Sequence, residues 1–178
     1  RLSKWPSTSK ILARPDGTSL REGDRLVQTE LATTLEAIAQ KGPEGFYRGA
    51  VADRLVAAIR TAGGIMTLDD LAGYQPVVRT PVRGSHRGAE IVSMPLPSSG
   101  GIVLIETLNI LEGTGIAEEP QGSVASLHLL IEAMKRAYAD RARYLGDPSF
   151  ADAPVQRLLS KDYAAKLRAT ISPDRAAR

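Results

Sequence analysis

The 178 residues carry 43% hydrophobic and 24% charged side chains with a formal charge of +3, a balance that excludes a mostly disordered chain and fits one domain or one large lobe. The 23 Lys and Arg are scattered among 20 Asp and Glu, and without a basic stripe or a base-reading motif a nucleic-acid partner is excluded. Cysteine is absent, which excludes disulfides, thiolate catalysis and cysteine-ligated metals.

Arg1 to Arg25 is polar and turn-rich, with turn signals at Asp16-Gly17 and Glu22-Gly23-Asp24, and is expected to hold at most a short helix or hairpin. "RLSKWPSTSK" lacks the apolar stretch of a signal peptide, and no run approaches the ~18 apolar residues that cross a bilayer. The opening residue is Arg1 and not Met, so polypeptide is expected to precede it.

Leu31, Leu35 and Ile38 fall at i, i+4 and i+7 and predict a helix from about residue 29 to 41, with Thr29 as N-cap and Gly42-Pro43 as the stop. Val51, Leu55 and Ile59 predict a second helix that ends at Gly63-Gly64. In "TLDDLAGY", Thr67 caps a short third helix. Asp69 and Asp70 then read as first-turn carboxylates at the positive end of a helix dipole, in preference to a metal or acid/base site.

The period changes near Gln75. "PVVRTPVRG" and "AEIVSMP" are β-branched runs around "GSHRG", and they predict an antiparallel hairpin with a loop of about five residues. Pro81 places the first strand at an edge or a bulge. His86 falls in that loop and reads as a solvated turn residue, since the sequence sets no second histidine or carboxylate beside it. Arg79, Arg83 and Arg87 read as a solvated face.

"IVLIETLNIL" (residues 102–111) is apolar almost all round and predicts a buried helix. From Ser123 to Tyr144, Leu127, Leu130, Ile131, Met134, Ala137 and Tyr138 form an apolar stripe opposite Glu132, Lys135, Arg136 and Asp140, with a Glu132–Arg136 pair at i, i+4. His128 on this helix reads as a satisfied, half-buried imidazole. Ser160 caps a last helix with Tyr163 and Leu167 inward, before a loosely ordered tail. The division expected is a leading segment over 1–28, one mixed helix/strand lobe over 29–170 and a tail over 171–178.

The stretch most suggestive of chemistry is "SMPLPSSGG", Ser93 to Gly101. A hydrolase nucleophile elbow needs G-x-S-x-G, and the leading glycine is missing. No base accompanies Ser98 or Ser99. What the stretch supplies is a helix N-terminus with Ser98 or Ser99 as N-cap, and with Gly100 and Gly101 allowing close approach of another chain or a ligand. It reads either as a corner between strand and helix or as an anion-facing end. Phosphate-loop, dinucleotide and metal-ligand motifs are absent, so no catalytic residue and no metal site is assigned.

Four blocks, "LVQTELATTLEAIAQKGPEGFYRGAVADRL", "GGIMTLDDLAGYQPVVRTPVRGSHRG", "IVSMPLPSSGGIVLIETLNILEG" and "EAMKRAYADRARYLGDPSF", stand in an order and spacing that resemble the large subunit of the γ-glutamyltranspeptidase family. The resemblance runs from about Asp16 to at least Tyr163. It implies an α+β fold, namely an incomplete αββα sandwich of the N-terminal-nucleophile hydrolase type, helix-rich with an antiparallel hairpin. It also implies an enzyme made as a self-cleaving precursor, whose new N-terminal threonine attacks γ-glutamyl amides such as glutathione without metal or cofactor. That threonine, and the arginine that grips the substrate, would lie outside these residues. Ser98, Ser99, Gly100 and Gly101 would be at most a site-facing loop.

The partners so implied are the small subunit and the N-terminal part of the large subunit. The chain alone is expected to be inactive, and to dimerise, swap elements or aggregate through uncovered edges and apolar surface. A periplasmic or secreted location follows from the resemblance alone. The competing readings are a β-lactam acylase, a poly-γ-glutamate transferase and a non-catalytic anion-binding or scaffold module.

Overall fold

A computed structural model describes residues 4–177. The chain divides into two compact units, one ending at Val77 and the other beginning at Val78. The fold is α+β, with many helices and, among the described residues, one antiparallel hairpin.

The first unit opens with α1 (Pro6–Leu12), where Pro6 occupies a first-turn position that needs no N–H. An isolated bridge joins Ala13 to Ser19 around the Asp16-Gly17 turn, and Asp16 Oδ1 accepts from the Thr18 amide at 2.9 Å. Arg14 clasps Asp24 through two hydrogen bonds of 2.7 and 2.8 Å. Then follow α2 (Thr29–Lys41), α3 (Glu44–Tyr47), α4 (Gly49–Thr61) and α5 (Leu68–Ala72).

Thr29 is the first helical residue of α2 and not its cap; the N-cap is Gln28, which makes no side-chain cap. The turn containing Phe46 and Tyr47 is itself a one-turn helix. Gly45 is required there, since a Cβ would stand 2.1 Å from the Ala37 carbonyl oxygen. Thr67 and Asp70 form a full capping box at the start of α5. The acidic pair is therefore committed to local structure.

In the second unit β1 (Val82–His86) pairs antiparallel with β2 (Ala89–Ser93), and His86 stands opposite Ala89. The connection is two residues, Arg87-Gly88, where about five were predicted. Both have positive φ, 49° and 81°, as the tight hairpin turn that follows strand twist demands. His86 is consequently a strand residue. The strand begins at Val82, directly after Pro81, which cannot donate to the ladder.

Next come α6 (Gly100–Leu111), α7 (Val124–Tyr144), α8 (Val155–Leu158) and α9 (Lys161–Arg168). The expectation for α6 is met: Ile102, Ile105 and Ile110 are wholly buried, each contributing about 1.5–3 kcal/mol by burial. Ile102 packs with Leu96 and Leu158, flanked by Val82, Tyr144, Leu145 and Tyr163. Ile110 and Leu111 pack with Ala133 and Ala164, flanked by Leu129 and Leu167. Tyr163 and Leu167 thus point inward from α9, and Ser160 caps it by accepting from the Tyr163 amide.

The facing of α7 departs from the prediction everywhere in the stripe but at Ala137. Leu127, Ile131 and Tyr138 are 48%, 54% and 50% exposed, whereas Glu132, Ala133 and Ala137 are buried. The alanines let α7 lie close to α6. Glu132 is tolerated inside because Arg136 and Lys135 meet its carboxylate at 2.7 and 3.0 Å. The residues after α9 close over the same side: Arg136 donates to the Thr170 carbonyl at 2.7 Å, and the Ala177 amide donates to Glu132 at 3.1 Å. No helix among the described residues is long and apolar enough to cross a membrane.

Candidate functional site

The loop singled out by sequence lies where β2 hands over to α6. Leu96 is buried and anchors it, the Leu96–Pro97 peptide is cis, and Ser98 and Ser99 precede the first helical residue, Gly100. Ser99 occupies the N-cap position but already has helical backbone angles, φ −79° and ψ −15°, and makes no side-chain cap. A capping hydroxyl needs an extended N-cap backbone to reach the amides two or three residues on. The predicted serine cap is therefore not formed.

Instead Arg141, in the last turn of α7, donates from Nε to Ser99 Oγ at 2.8 Å. Its guanidinium carbon lies 5.9 Å from the centre of the Tyr138 ring. Pro97, Ser99, Arg141, Ala142 and Leu145 line a small concavity of about 270 Å³. A guanidinium has donors only and cannot take a proton from a hydroxyl, so the partner of Ser99 polarises it without making it a nucleophile. Ser98 is exposed.

Neither histidine supplies the missing base. His128 is half-buried, with Nε2 2.8 Å from the Ser172 carbonyl oxygen. His86 ends β1, and its Nδ1 is buried with no partner among the described residues.

The two glycines differ in purpose. A Cβ on Gly101 would stand 2.4 Å from the Met94 carbonyl oxygen and 2.9 Å from Val82 Cγ2, while one on Gly100 would meet only Ser98 Oγ at 3.7 Å. Gly101 lets α6 press onto the chain's own hairpin, as does Gly84, whose Cβ would stand 2.4 Å from Ile105 Cγ2. Gly100 is exposed and would tolerate a side chain.

The three arginines of the hairpin region separate. Arg79 lies 3.8 Å from Asp147 and Arg83 2.6 Å from Glu90; both line a wider concavity of about 830 Å³ with Pro81, Pro95, Leu96 and Val155. Arg87 is held at the turn by its amide, which donates to Glu112 Oε1 at 3.0 Å. Glu112 also binds Lys161, whose Nζ donates to the Ser85 carbonyl at 2.6 Å. The Lys161 hydrogen bond, followed by that of the Arg87 amide, holds the Glu112 carboxyl below its usual range.

Sequence reasoning passed over a buried acid. Glu106 sits in α6 at 1% exposure, and burial, followed by the neighbouring Asp140 carboxyl, pushes its pKa up to about 9. The signal was present: a single carboxyl in "IVLIETLNIL" has to be paired or protonated once the helix is buried. Among the described residues no group of three or more His, Cys, Asp and Glu is placed to hold a metal ion.

The whole chain, residues 1–178, matches the family model described as Gamma-glutamyltranspeptidase. It is 50% identical over 160 residues to the glutathione hydrolase proenzyme of Pseudomonas sp. (strain A14), covering 90% of this chain and 28% of that protein. It is 42% identical over 175 residues to the acylase ACY 1 proenzyme of Pseudomonas sp. (strain SE83), covering 98% of this chain and 31% of that protein. Among solved structures it superposes on Helicobacter pylori gamma-glutamyltranspeptidase with a TM-score of 0.87 at 42% identity, covering 99% of this chain and 51% of that one. The chain thus spans about 30% of the length of the curated relatives it matches.

Proposed function

The chain belongs to the gamma-glutamyltranspeptidase family, and from that premise we propose that it is the C-terminal part of the large subunit of an enzyme that transfers or hydrolyses the γ-glutamyl group of glutathione-like amides. The attacking hydroxyl belongs to a threonine outside these residues, freed by self-cleavage of a precursor. It adds to the γ-glutamyl carbonyl, the amine leaves carrying a proton, and the acyl-enzyme passes to water or to the amine of an acceptor. The hairpin and α6 are then part of an αββα sandwich of the N-terminal-nucleophile type, completed by strands that lie elsewhere in the polypeptide.

One observation carries this reading: the family match covers every residue, yet the best-placed hydroxyl, Ser99, is hydrogen-bonded to an arginine and not to a base. Within such an enzyme the described residues act as supporting wall. The Ser98–Gly101 loop faces the site only as packing at the head of α6.

The test is release of p-nitroaniline from a γ-glutamyl anilide. Residues 1–178 alone are expected to give no turnover, and the full chain to cut itself into two chains and then become active. Turnover by the isolated segment that Ser98→Ala or Ser99→Ala abolishes would overturn the assignment. The comparable likeness to an acylase favours a second reading, a β-lactam acylase. Faster cleavage of a cephalosporin side-chain amide than of the γ-glutamyl anilide by the mature enzyme would select it.

A further inference from the structure

Glu106 is 1% exposed, and its Oε1 is buried with no hydrogen-bond partner among the described residues. From α7 the Asp140 carboxyl meets it, and Asp140 Oδ2 accepts from the hydroxyl of Tyr163 on α9 at 2.7 Å. Arg157, on α8, lies with its guanidinium carbon 4.5 Å from the centre of the Tyr163 ring. No titratable group of the hairpin acts on Glu106. Along the same face of α6, Asn109 commits Nδ2 to the Leu159 carbonyl at 2.9 Å and leaves its buried Oδ1 unpaired. This face is short of donors, and a protonated carboxyl supplies one.

Glu106 is buried and meets the half-buried Asp140 carboxyl, so desolvation and repulsion both favour the neutral form of Glu106. Burial therefore keeps the proton with Glu106, beside the carboxyl that accepts from the Tyr163 hydroxyl. We propose that Glu106 and Asp140 form a one-proton clamp across α6, α7 and α9 that holds at neutral pH and opens in alkaline solution. Opening frees the helix whose head is the Ser98–Gly101 loop, so the clamp ties the order of that loop to proton concentration.

The direction follows from linkage. The folded carboxyl titrates at about 9, above its ordinary value of 4.5. Its contribution is fully present below the ordinary value and is lost as pH rises through the folded one, changing the folding equilibrium about tenfold per pH unit between.

Urea unfolding of the full chain from pH 6 to pH 9, beside Glu106→Gln, tests this. Glutamine keeps an N–H for Asp140 but cannot ionise. The wild-type unfolding constant is expected to rise about tenfold per pH unit more steeply than that of the variant; parallel profiles would overturn the clamp. Should the variant fail to fold, carboxyl 13C NMR of the glutamate-labelled wild type decides. One glutamate titrating far above the others supports the proposal, and all of them titrating in the ordinary range refutes it. A stability gain on adding calcium that Glu106→Gln abolishes would put a cation in place of the proton and equally refute it.

Discussion

Among the described residues of the first unit the buried hydrophobics are Ala52 and Leu71, at 0% and 7% exposure, while Leu31, Leu35, Ile65 and Tyr74 stay 47%, 55%, 87% and 57% exposed. In the second, α6 brings Ile102, Ile105 and Ile110 to 0% exposure and gathers α7, α8, α9 and the hairpin around them. Both units have helices with good apolar periodicity. The lesson is that periodicity reports which face a helix would bury, whereas a core needs one element apolar enough to be covered on several sides.

The largest effect that sharpens this contrast is core truncation. Ile102→Ala is expected to cost about 2–5 kcal/mol, because it opens a cavity between Leu96 and Leu158 that close packing cannot collapse. Leu35→Ala, on an exposed face of α2, is expected to stay within about 0.5 kcal/mol. Denaturant unfolding of the full chain measures both. Equal losses would show that the leucine face of α2 is covered as thoroughly as α6, and the contrast would fall.

A second prediction concerns how the second unit tolerates charge. Glu132 is 1% exposed, and the Arg136 hydrogen bond first, then Lys135 and the Ala177 amide, hold its pKa down to about 2 against the opposing effect of burial. A depressed carboxyl contributes stability that is present above its ordinary value of 4.5 and lost as pH falls toward 2. Glu132→Gln leaves Arg136 uncompensated and is expected to cost about 3 kcal/mol at neutral pH. It should also flatten the acid limb of stability between pH 5 and pH 2 relative to wild type. Acid limbs of equal slope would mean that the ion cluster does not tie α7 to the residues after α9.

How much of this was legible depends on what decides each feature. Helices set by periodicity and capping came through: α6 from its near-continuous apolar run, α9 from Ser160, α5 from Thr67, and the Glu132–Arg136 pair from its spacing. The facing of α7 came through only at Ala137, because Ala133 buries by virtue of being small and Glu132 by its ion pairs, while hydrophobicity counts favour Leu127 and Ile131. The hairpin turn was misjudged because Arg87 adopts a left-handed φ that sequence assigns to glycine or asparagine. At the candidate loop, the partner of Ser99 comes from Arg141, forty-two positions away, and no local pattern encodes that contact.

The smallest effect tests the first unit on its own terms. With so little buried there, local capping carries a larger share of the order of α5 than any cap does for α6, which starts without a side-chain cap and is held by packing. Thr67→Ala removes the hydroxyl that accepts from the Asp70 amide at 3.2 Å and donates to Asp70 Oδ2 at 2.8 Å. The expected cost is about 1 kcal/mol, read as roughly fivefold faster hydrogen exchange over residues 68–72. Ser99→Ala, which removes no cap, should leave the amides of α6 unchanged. If exchange in α5 is insensitive to Thr67→Ala, then tertiary packing holds the first unit after all, and the two units differ in degree and not in kind.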